Sequence, residues 1–317
     1  MGITFPLAGV LVDQNKETSP APFEYGLYVK RILVTGANGQ LGNEMRLLAR
    51  QYPNFTWDFT DIGELDLSSA ETVHDYCQRT MPAYIINCAA YTAVDKAEEE
   101  IALCYTVNRD AVENLAKAAS AVGARMLHVS TDYVFDGSQH TPYVETDPVC
   151  PVSVYGKSKL AGEQVLMADC PESVIVRTAW LYSIFGTNFV KTMIRLGKER
   201  PTLTVVADQI GTPTYAADLA SALVHIILSA EKGHFTPGIY HYSNEGVCSW
   251  YDFALKIHQL SGITTCQVIP VETKDYPTKT VRPAYSVLEK TKIKATYGIT
   301  IPSWETSLAV CISQIHD

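Results

Sequence analysis

A glycine-rich turn between an apolar run and a helical pattern constrains this chain most. Arg31-Ile32-Leu33-Val34 predicts a strand, and Gly36, Gly39 and Gly42 follow it in a GxxGxxG pattern. Glycines at such a junction permit a tight turn and let backbone N–H groups approach a phosphate, while the helix N-terminus attracts negative charge. The pattern predicts a dinucleotide site, and the lack of a Gly-Lys-Ser/Thr ending rules out a P-loop.

Strand and helix patterns alternate over the first half of the chain. Helical spacing predicts helices over 40–51, 70–79, 111–122 and 155–167, and apolar runs predict strands over 32–35, 55–59, 84–88, 125–130 and 174–177. Repeated βα units fold as a parallel sheet with helices on both faces. We therefore predict an α/β fold with a Rossmann-like doubly wound parallel sheet over residues 29–182.

The regions on either side of this sheet are less regular. Prolines interrupt short elements after residue 182, which predicts a smaller C-terminal substrate-binding lobe over 183–317 with helices at 215–228 and 250–261. The helix over 215–228 either belongs to that lobe or returns to the first domain. Residues 1–28 lack periodicity and predict a loosely ordered leader, with an extra strand as the alternative.

Composition excludes several classes of partner. The net charge is −9 and no long basic run occurs, which argues against nucleic acid because phosphate neutralisation needs clustered Lys and Arg. No run of about 18 apolar residues predicts a membrane span. The eight cysteines form no CxxC pair and no zinc spacing, so we expect reduced thiols, no metal site and a cytoplasmic protein.

An acidic residue follows the second predicted strand. Asp61 stands about 20 residues beyond the glycine turn, where a carboxylate binds the adenosine ribose, and Asp58 is a second candidate. An acid at this place favours NAD over NADP, although a solvated loop aspartate is the alternative interpretation. Asp66 and Leu67 are expected along the adenine edge.

Tyr155 and Lys159 lie four residues apart, on the same face of one predicted helix. An ammonium near a tyrosine is expected to lower its pKa, so that the phenol exchanges a proton with a carbonyl oxygen. Thr131 ends the strand over 125–130 and is expected to orient that oxygen. An exposed helix face and a turn-forming Ser/Thr/Asp cluster are the alternatives for these two features.

These features resemble those of the extended short-chain dehydrogenase/reductases, and more specific strings resemble the dTDP-4-dehydrorhamnose reductase family within them. The strings are AAYTAVDKAE (89–98), STDYVFDG (130–137), VYGKSKLAGE (154–163), RTAWLY (177–182) and Arg282-Pro283. The resemblance runs from residue 29 to the C-terminus. The leader departs from it, because such reductases begin at the first strand.

The resemblance implies reduction of a dTDP-linked 4-ketosugar by NADPH or NADH, in a monomer or homodimer, with Mg²⁺ involved in some members. The implied catalytic residues are Tyr155, Lys159 and Thr131. The implied substrate residues are Thr131, Asp132, Tyr133, Trp180 and Arg282. The expected cofactor residues are Gly36, Gly39, Gln40, Leu41, Gly42, Asp61, Asp66, Leu67, Ala90, Tyr91, Thr92, Val129, Tyr155 and Lys159.

Related functions remain as alternatives. Sugar-nucleotide dehydratases carry an Asp-Glu pair after the threonine, whereas Tyr133 follows Asp132 here. A sugar-nucleotide epimerase or another reductase shares the fold. A regulatory subunit of methionine adenosyltransferase is a non-enzymatic relative that keeps the Tyr/Lys pair, and Trp180 favours the reductase over it.

Overall fold

The computed structural model describes residues 29–276 and 278–315. The predicted leader over 1–28 therefore lies outside the described residues. The strands are β1 Arg31–Thr35, β2 Thr56–Thr60, β3 Tyr84–Asn87, β4 Arg125–Thr131, β5 Ser173–Thr178, β6 Leu181–Tyr182, β7 Thr202–Val206, β8 Ile210–Gly211, β9 Thr214–Tyr215, β10 Gly238–His241, β11 Cys248–Ser249 and β12 Gln267–Val271.

The helices are α1 Gln40–Ala49, α2 Ala70–Thr80, α3 Val94–Ala97, α4 Ile101–Tyr105, α5 Ala111–Val122, α6 Val154–Asp169, α7 Phe189–Glu199, α8 Ala216–Glu231, α9 Trp250–Leu260, α10 Thr291–Tyr297 and α11 Trp304–Gln314. A π-helical turn over Thr106–Asp110 joins α4 to α5. Short 3₁₀ turns cover Asp132–Val134 and Thr273–Asp275. Among the described residues, no helix has the length and apolar character that spanning a membrane requires.

The central sheet is parallel and has the order β2-β1-β3-β4-β5-β10. Its inner strands are continuous apolar runs such as Ile32, Leu33 and Val34, because helices cover both faces. The chain reverses its direction of travel across the sheet between β1 and β3. Ligands of such sheets bind at the carboxyl ends of the strands beside this switch point. The predicted doubly wound fold is confirmed.

Residues beyond 182 also build this sheet. Strand β10 pairs with β5, and α8 contributes Leu219, Leu223 and Ile227 to the apolar core that contains Ile32 and Val34 of β1. A second, separate apolar cluster joins α7, α9 and α11 to β7 and β12. Helices α7, α10 and α11 were not predicted from the sequence. Pro201 and Pro302 lie just outside α7 and α11 and mark the short elements of this region.

Local capping explains why the long helix of the site begins where it does. Ser153 accepts a hydrogen bond of 3.1 Å from the backbone N–H of Gly156 at the start of α6. This side chain satisfies a donor that the first helical turn leaves free. Tyr155 and Lys159 consequently lie in the first two turns of α6, beside the end of β4.

Candidate functional site

The turn after β1 has no room for side chains at two of its glycines. Gly36 has a φ of +65°, and a Cβ there would lie 2.6 Å from the backbone nitrogen of Ala89. A Cβ on Gly42 would lie 2.3 Å from the carbonyl oxygen of Gly36. The N-cap of α1, Gly39, offers no side-chain hydrogen bond to the helix, so the first N–H groups of α1 remain available to an anion.

Two adjoining cavities open at the carboxyl ends of the strands. The first measures about 580 Å³ and lies between the glycine turn, the end of β2 and α4. The second measures about 640 Å³ and lies between the ends of β4 and β5 and the start of α9. Gly39, Cys88 and Ala90 line both cavities, so the two cavities adjoin at the tip of the glycine turn and have room for one extended ligand.

The first cavity combines acidic and apolar groups. Asp61 accepts hydrogen bonds of 2.9 Å from the backbone N–H groups of Asn38 and Ile62, which fixes its carboxylate beside the turn. Asp66 lies on the same wall, and none of the described residues that line this cavity is a lysine or an arginine. Ile62 and Leu103 leave 78% and 51% of their surface exposed, respectively, although both are apolar. A planar apolar ring between them would cover this surface.

Tyr155, Thr131 and Asp132 meet in the second cavity. The Tyr155 phenol is half-buried, packs edge-on against the ring of Tyr133 and is hydrogen-bonded to the Thr131 side chain. Burial raises the pKa of Tyr155, and the hydrogen bond to Thr131 opposes that shift only in part. The expectation that Lys159 lowers this pKa is wrong, because burial raises it and the Lys159 amine is directed to the Val129 carbonyl.

Lys159 is buried beneath the cavity floor. Its Nζ donates a hydrogen bond of 2.7 Å to the carbonyl oxygen of Val129 and lies 3.4 Å from Nε2 of His128. Burial lowers the pKa of Lys159 to about 8, while the charge of Glu163 one turn further along α6 works in the opposite direction.

Asp132 is a buried carboxylate that is only partly satisfied. Its Oδ1 accepts a hydrogen bond of 3.0 Å from the Thr131 hydroxyl, whereas its Oδ2 is buried and has no hydrogen-bond partner among the described residues. Burial raises the pKa of Asp132 to about 6, and the nearby hydroxyls of Ser286 and Thr131 oppose the shift. An unpaired carboxylate oxygen at a cavity wall suits a ligand hydroxyl, which would supply the missing donor.

Aromatic and cationic groups complete the wall of the second cavity. The Trp180 ring stacks on Trp250 with 3.6 Å between ring centroids, and Trp180 has a φ of +49°. Arg282 reaches the cavity from the segment before α10 and pairs with Asp95 of α3 over 3.1 Å. A flat face and a guanidinium at one cavity are groups that bind a ring and an anion, respectively.

Most of the residues expected from the sequence line the two cavities. The first cavity holds Gly36, Gly39, Asp61, Asp66, Leu67 and Ala90. The second holds Gly39, Gln40, Leu41, Ala90, Thr92, Val129, Thr131, Asp132, Tyr133, Tyr155, Lys159, Trp180 and Arg282.

Two expected residues, Gly42 and Tyr91, line neither cavity, and neither does the second ribose candidate, Asp58, which pairs with Arg31 over 2.7 Å. Gly42 lies beneath the turn. Tyr91 directs its hydroxyl to Glu100 over 2.6 Å, while its backbone N–H donates to the Asn108 side chain. Tyr91 therefore shapes the loop after β3 through its backbone.

Several lining residues were not identified from the sequence. The sequence could have indicated Ile62 and Trp250 as lining residues. Ile62 follows Asp61, the predicted ribose-binding residue, and Trp250 is an aromatic residue at the first position of a predicted helix. Leu103 and Asn188 had none, because only the fold brings their segments to the cavities. His128 lies within an apolar strand pattern and gave no functional signal.

Within residues 29–276 and 278–315, no group of three or more His, Cys, Asp or Glu side chains is arranged to hold a metal ion. Nothing in this part of the chain therefore supports the Mg²⁺ that the resemblance left open.

Comparison with known proteins agrees with this geometry. Residues 30–316 match the family model described as the RmlD substrate binding domain. A dTDP-4-dehydrorhamnose reductase of Aggregatibacter actinomycetemcomitans is 44% identical over 284 residues, covering 88% of this chain and 97% of the relative.

Solved structures agree as well. A crystal structure of a dTDP-4-dehydrorhamnose reductase from Clostridium acetobutylicum is 45% identical with a TM-score of 0.85, over 89% of this chain and 98% of that one. The reductase of Bacillus anthracis, solved in complex with NADP, is 40% identical with a TM-score of 0.84, over 90% of this chain and 99% of that one.

Proposed function

Because this chain belongs to the dTDP-4-dehydrorhamnose reductase family, we propose that it reduces the C4 ketone of dTDP-4-dehydro-L-rhamnose to give dTDP-L-rhamnose. One observation supports this reaction above the others. Tyr155, Thr131 and the unpaired oxygen of Asp132 share a cavity that adjoins the glycine turn, so a proton donor stands beside the place where a dinucleotide would end.

A nicotinamide cofactor, when bound, supplies the hydride for this reduction. The residues present fit it: Gly36 and Gly39 line the first cavity without a side chain, and the first turn of α1 offers uncapped N–H groups to a pyrophosphate. Asp61 would accept hydrogen bonds from the adenosine ribose, and Ile62 and Leu103 would cover the adenine. The described part of this wall is acidic and carries no lysine or arginine, which favours NADH over NADPH, since a 2′-phosphate would meet the charge of Asp61.

Tyr155 donates the proton. Its raised pKa keeps the phenol protonated at neutral pH, so it gives a proton to the ketone oxygen when negative charge develops there. The Thr131 hydroxyl is hydrogen-bonded to this phenol and donates to Asp132, so it would turn its proton from Asp132 to the ketone oxygen to hold that oxygen in place. Lys159 holds the cofactor ribose from below the reacting centre, and it contributes a positive charge there when it is protonated.

The sugar nucleotide is bound by the remaining groups of the second cavity. Oδ2 of Asp132 accepts a hydrogen bond from a sugar hydroxyl, which satisfies its missing partner. Trp180 packs on the sugar, and its stack with Trp250 keeps the ring in place. Arg282 offers its guanidinium to the diphosphate at the cavity mouth.

The test is an assay of NADH and NADPH oxidation with enzymatically generated dTDP-4-dehydro-L-rhamnose, run beside a UDP-linked 4-ketosugar. The proposal expects oxidation with the dTDP substrate and a product that co-elutes with dTDP-L-rhamnose. Ligand binding without oxidation would favour the non-enzymatic binding protein. A 4-epimer without net oxidation would favour the epimerase.

The oligomeric state of the protein and its cellular location are proposed from the family resemblance and the free cysteines. A monomer or homodimer in the cytoplasm is expected, and all eight cysteines are free thiols, which suits a reducing compartment. Sedimentation of the purified protein with and without added Mg²⁺ would measure the assembly state.

A further inference from the structure

A row of buried polar groups runs behind the site, from β1 through β3 and β4 to α6. Asn87 ends β3, His128 lies in β4, and Lys159 lies in α6. The Asn87 Nδ2 lies 3.0 Å from His128 Nδ1, and the His128 Nε2 lies 3.4 Å from Lys159 Nζ. All three side chains are almost completely buried, so these contacts are made without competition from bulk water.

The direction of each hydrogen bond follows from a backbone group. The N–H of Ala89 is an obligatory donor, and it points at Oδ1 of Asn87 over 3.0 Å. The Thr35 hydroxyl donates to the same oxygen over 2.7 Å. The other amide atom of Asn87 is therefore the NH₂ donor, and His128 Nδ1 must accept from it.

This requirement fixes the histidine tautomer. A neutral imidazole carries one proton, and an accepting Nδ1 leaves that proton on Nε2. Burial and the charge of Lys159 hold the pKa of His128 well below its usual range, so the ring remains neutral. The Nε2–H then faces Nζ of Lys159.

The two protonation states of Lys159 are therefore not equivalent. An ammonium has three donors and no lone pair, so it opposes a second donor, the Nε2–H of His128. A neutral amine accepts from Nε2–H and still donates to the Val129 carbonyl at 2.7 Å. Only the neutral amine gives every hydrogen bond in the row a donor and an acceptor, from the Ala89 N–H through Asn87 and His128 to the Val129 carbonyl.

We propose that His128 is a positioning residue that favours the neutral amine of Lys159, through a tautomer that Asn87 dictates. Its meaning for catalysis rests on the proposed function, because there Lys159 holds the cofactor and supports Tyr155. The hydrogen-bond direction and the lysine protonation can be measured without any activity.

The other groups that face Lys159 do not account for this preference. Glu163 of α6 is committed to Arg177 over 2.7 Å and to the Ser130 hydroxyl over 2.5 Å, and its charge favours the ammonium. The thiols of Cys88, after β3, and Cys104, in α4, also act in favour of the ammonium. Burial and the Nε2–H of His128 therefore remain as the influences that favour the neutral form.

The first experiment uses the unmodified sequence labelled with ¹⁵N-histidine. The two-bond ¹⁵N–¹H spectrum distinguishes a protonated ring nitrogen from an unprotonated one, and the His128 signals are those that a His128→Gln variant loses. The proposal expects a protonated Nε2 and an unprotonated Nδ1 from pH 6 to pH 9. A proton on Nδ1, or on both nitrogens, would overturn it.

The second experiment follows ¹³Cε of labelled lysine with pH, with the Lys159 signal identified by its loss in Lys159→Met. His128→Leu removes the donor and is expected to increase the proton affinity of Lys159 by about tenfold, one pKa unit. His128→Gln is the matched control, since its amide accepts from Asn87 and donates toward Lys159 as the imidazole does. It is expected to titrate like the unmodified protein.

A positioning role and a purely space-filling role of His128 predict opposite changes in the proton affinity of Lys159. If His128 were only a polar filler, His128→Leu would make the surroundings more apolar and decrease the proton affinity of Lys159. An unchanged or decreased affinity in His128→Leu overturns the proposal. If that variant does not fold, the other two measurements decide. Equal titration of Lys159 in His128→Gln and the unmodified protein, together with a protonated Nε2, supports the proposal, and failure of either result overturns it.

Discussion

The Lys159 amine donates a hydrogen bond of 2.7 Å to the carbonyl oxygen of Val129. This contact fastens the second turn of α6 to the end of β4 and directs the amine to the cavity floor. The phenol of Tyr155, one turn earlier, is consequently left with Thr131 and a raised pKa. A bound cofactor ribose would meet the amine in this position, so binding of the cofactor and support of the phenol are linked.

Removing the Tyr155 hydroxyl tests its role as proton donor. Tyr155→Phe keeps the ring that packs edge-on against Tyr133, so the cavity keeps its shape. Turnover is expected to fall by a factor of about 10²–10⁴, the usual contribution of general acid catalysis. NADH affinity, measured by fluorescence titration, should stay within about twofold. Turnover close to that of the unmodified enzyme would remove Tyr155 from the mechanism.

Asp61 is expected to set cofactor choice. Asp61→Ala removes the carboxylate that a 2′-phosphate would meet, so the ratio of kcat/KM for NADPH to that for NADH should rise by about tenfold or more. Asp61→Asn is the matched control, because it deletes the charge and keeps an oxygen acceptor for the Asn38 N–H. An unchanged ratio in both variants would place the ribose elsewhere.

The buried Asp132 predicts an acidic limit to activity. Its pKa is raised to about 6, so it loses its charge as the pH falls through 6 and then accepts a sugar hydroxyl less well. The value of kcat/KM, which reports the free enzyme, should therefore decline below pH 6. Asp132→Asn should have lower kcat/KM at pH 8 and a flat profile between pH 5 and pH 7. A decline that persists in this variant would assign the limit to another group.

His128 predicts a basic limit. If the ammonium of Lys159 is the form that holds the cofactor, kcat/KM for NADH should fall above pH 8, since the pKa of Lys159 is about 8. His128→Leu should move this fall to higher pH by about one unit, and His128→Gln should leave it in place. A profile that is identical in His128→Leu and the unmodified enzyme would contradict this link.

The buried ion pair beneath the site predicts a stability effect. Arg177 and Glu163 are almost completely buried and lie 2.7 Å apart, so Arg177→Met leaves an uncompensated carboxylate in the core. The free energy of unfolding should fall by about 3–5 kcal/mol, measured by urea denaturation. Lys117→Ala breaks the exposed pair with Glu113 and should leave it unchanged. Equal stability of Arg177→Met and the unmodified protein would show that the core accommodates the loss.

Much of the sheet could be predicted because its signals are local. The helix over Ala111–Val122 has the predicted bounds, and α1, α2, β1 and β5 differ from prediction by a few residues at most. Strand β10 could not be predicted, because Gly238–His241 is short and becomes a strand only by pairing with β5. The apolar spacing of α8 predicted a helix, but it did not predict which of the apolar cores this helix would join.

For the site, the sequence determined which chemical groups are present: the glycine turn, the carboxylate after β2, the threonine at the end of β4 and the Tyr/Lys pair on one helix face. Each of these features can be recognised from residues close together in the sequence: glycines three apart in the turn, Tyr155 and Lys159 four apart on a helix, and polar residues at the ends of apolar strand patterns. The direction of the Lys159 amine, the unpaired oxygen of Asp132 and the link from Asn87 to His128 were decided by the tertiary structure alone. These depend on contacts between residues 30 or more positions apart and on burial, which raises the cost of every unpaired polar group.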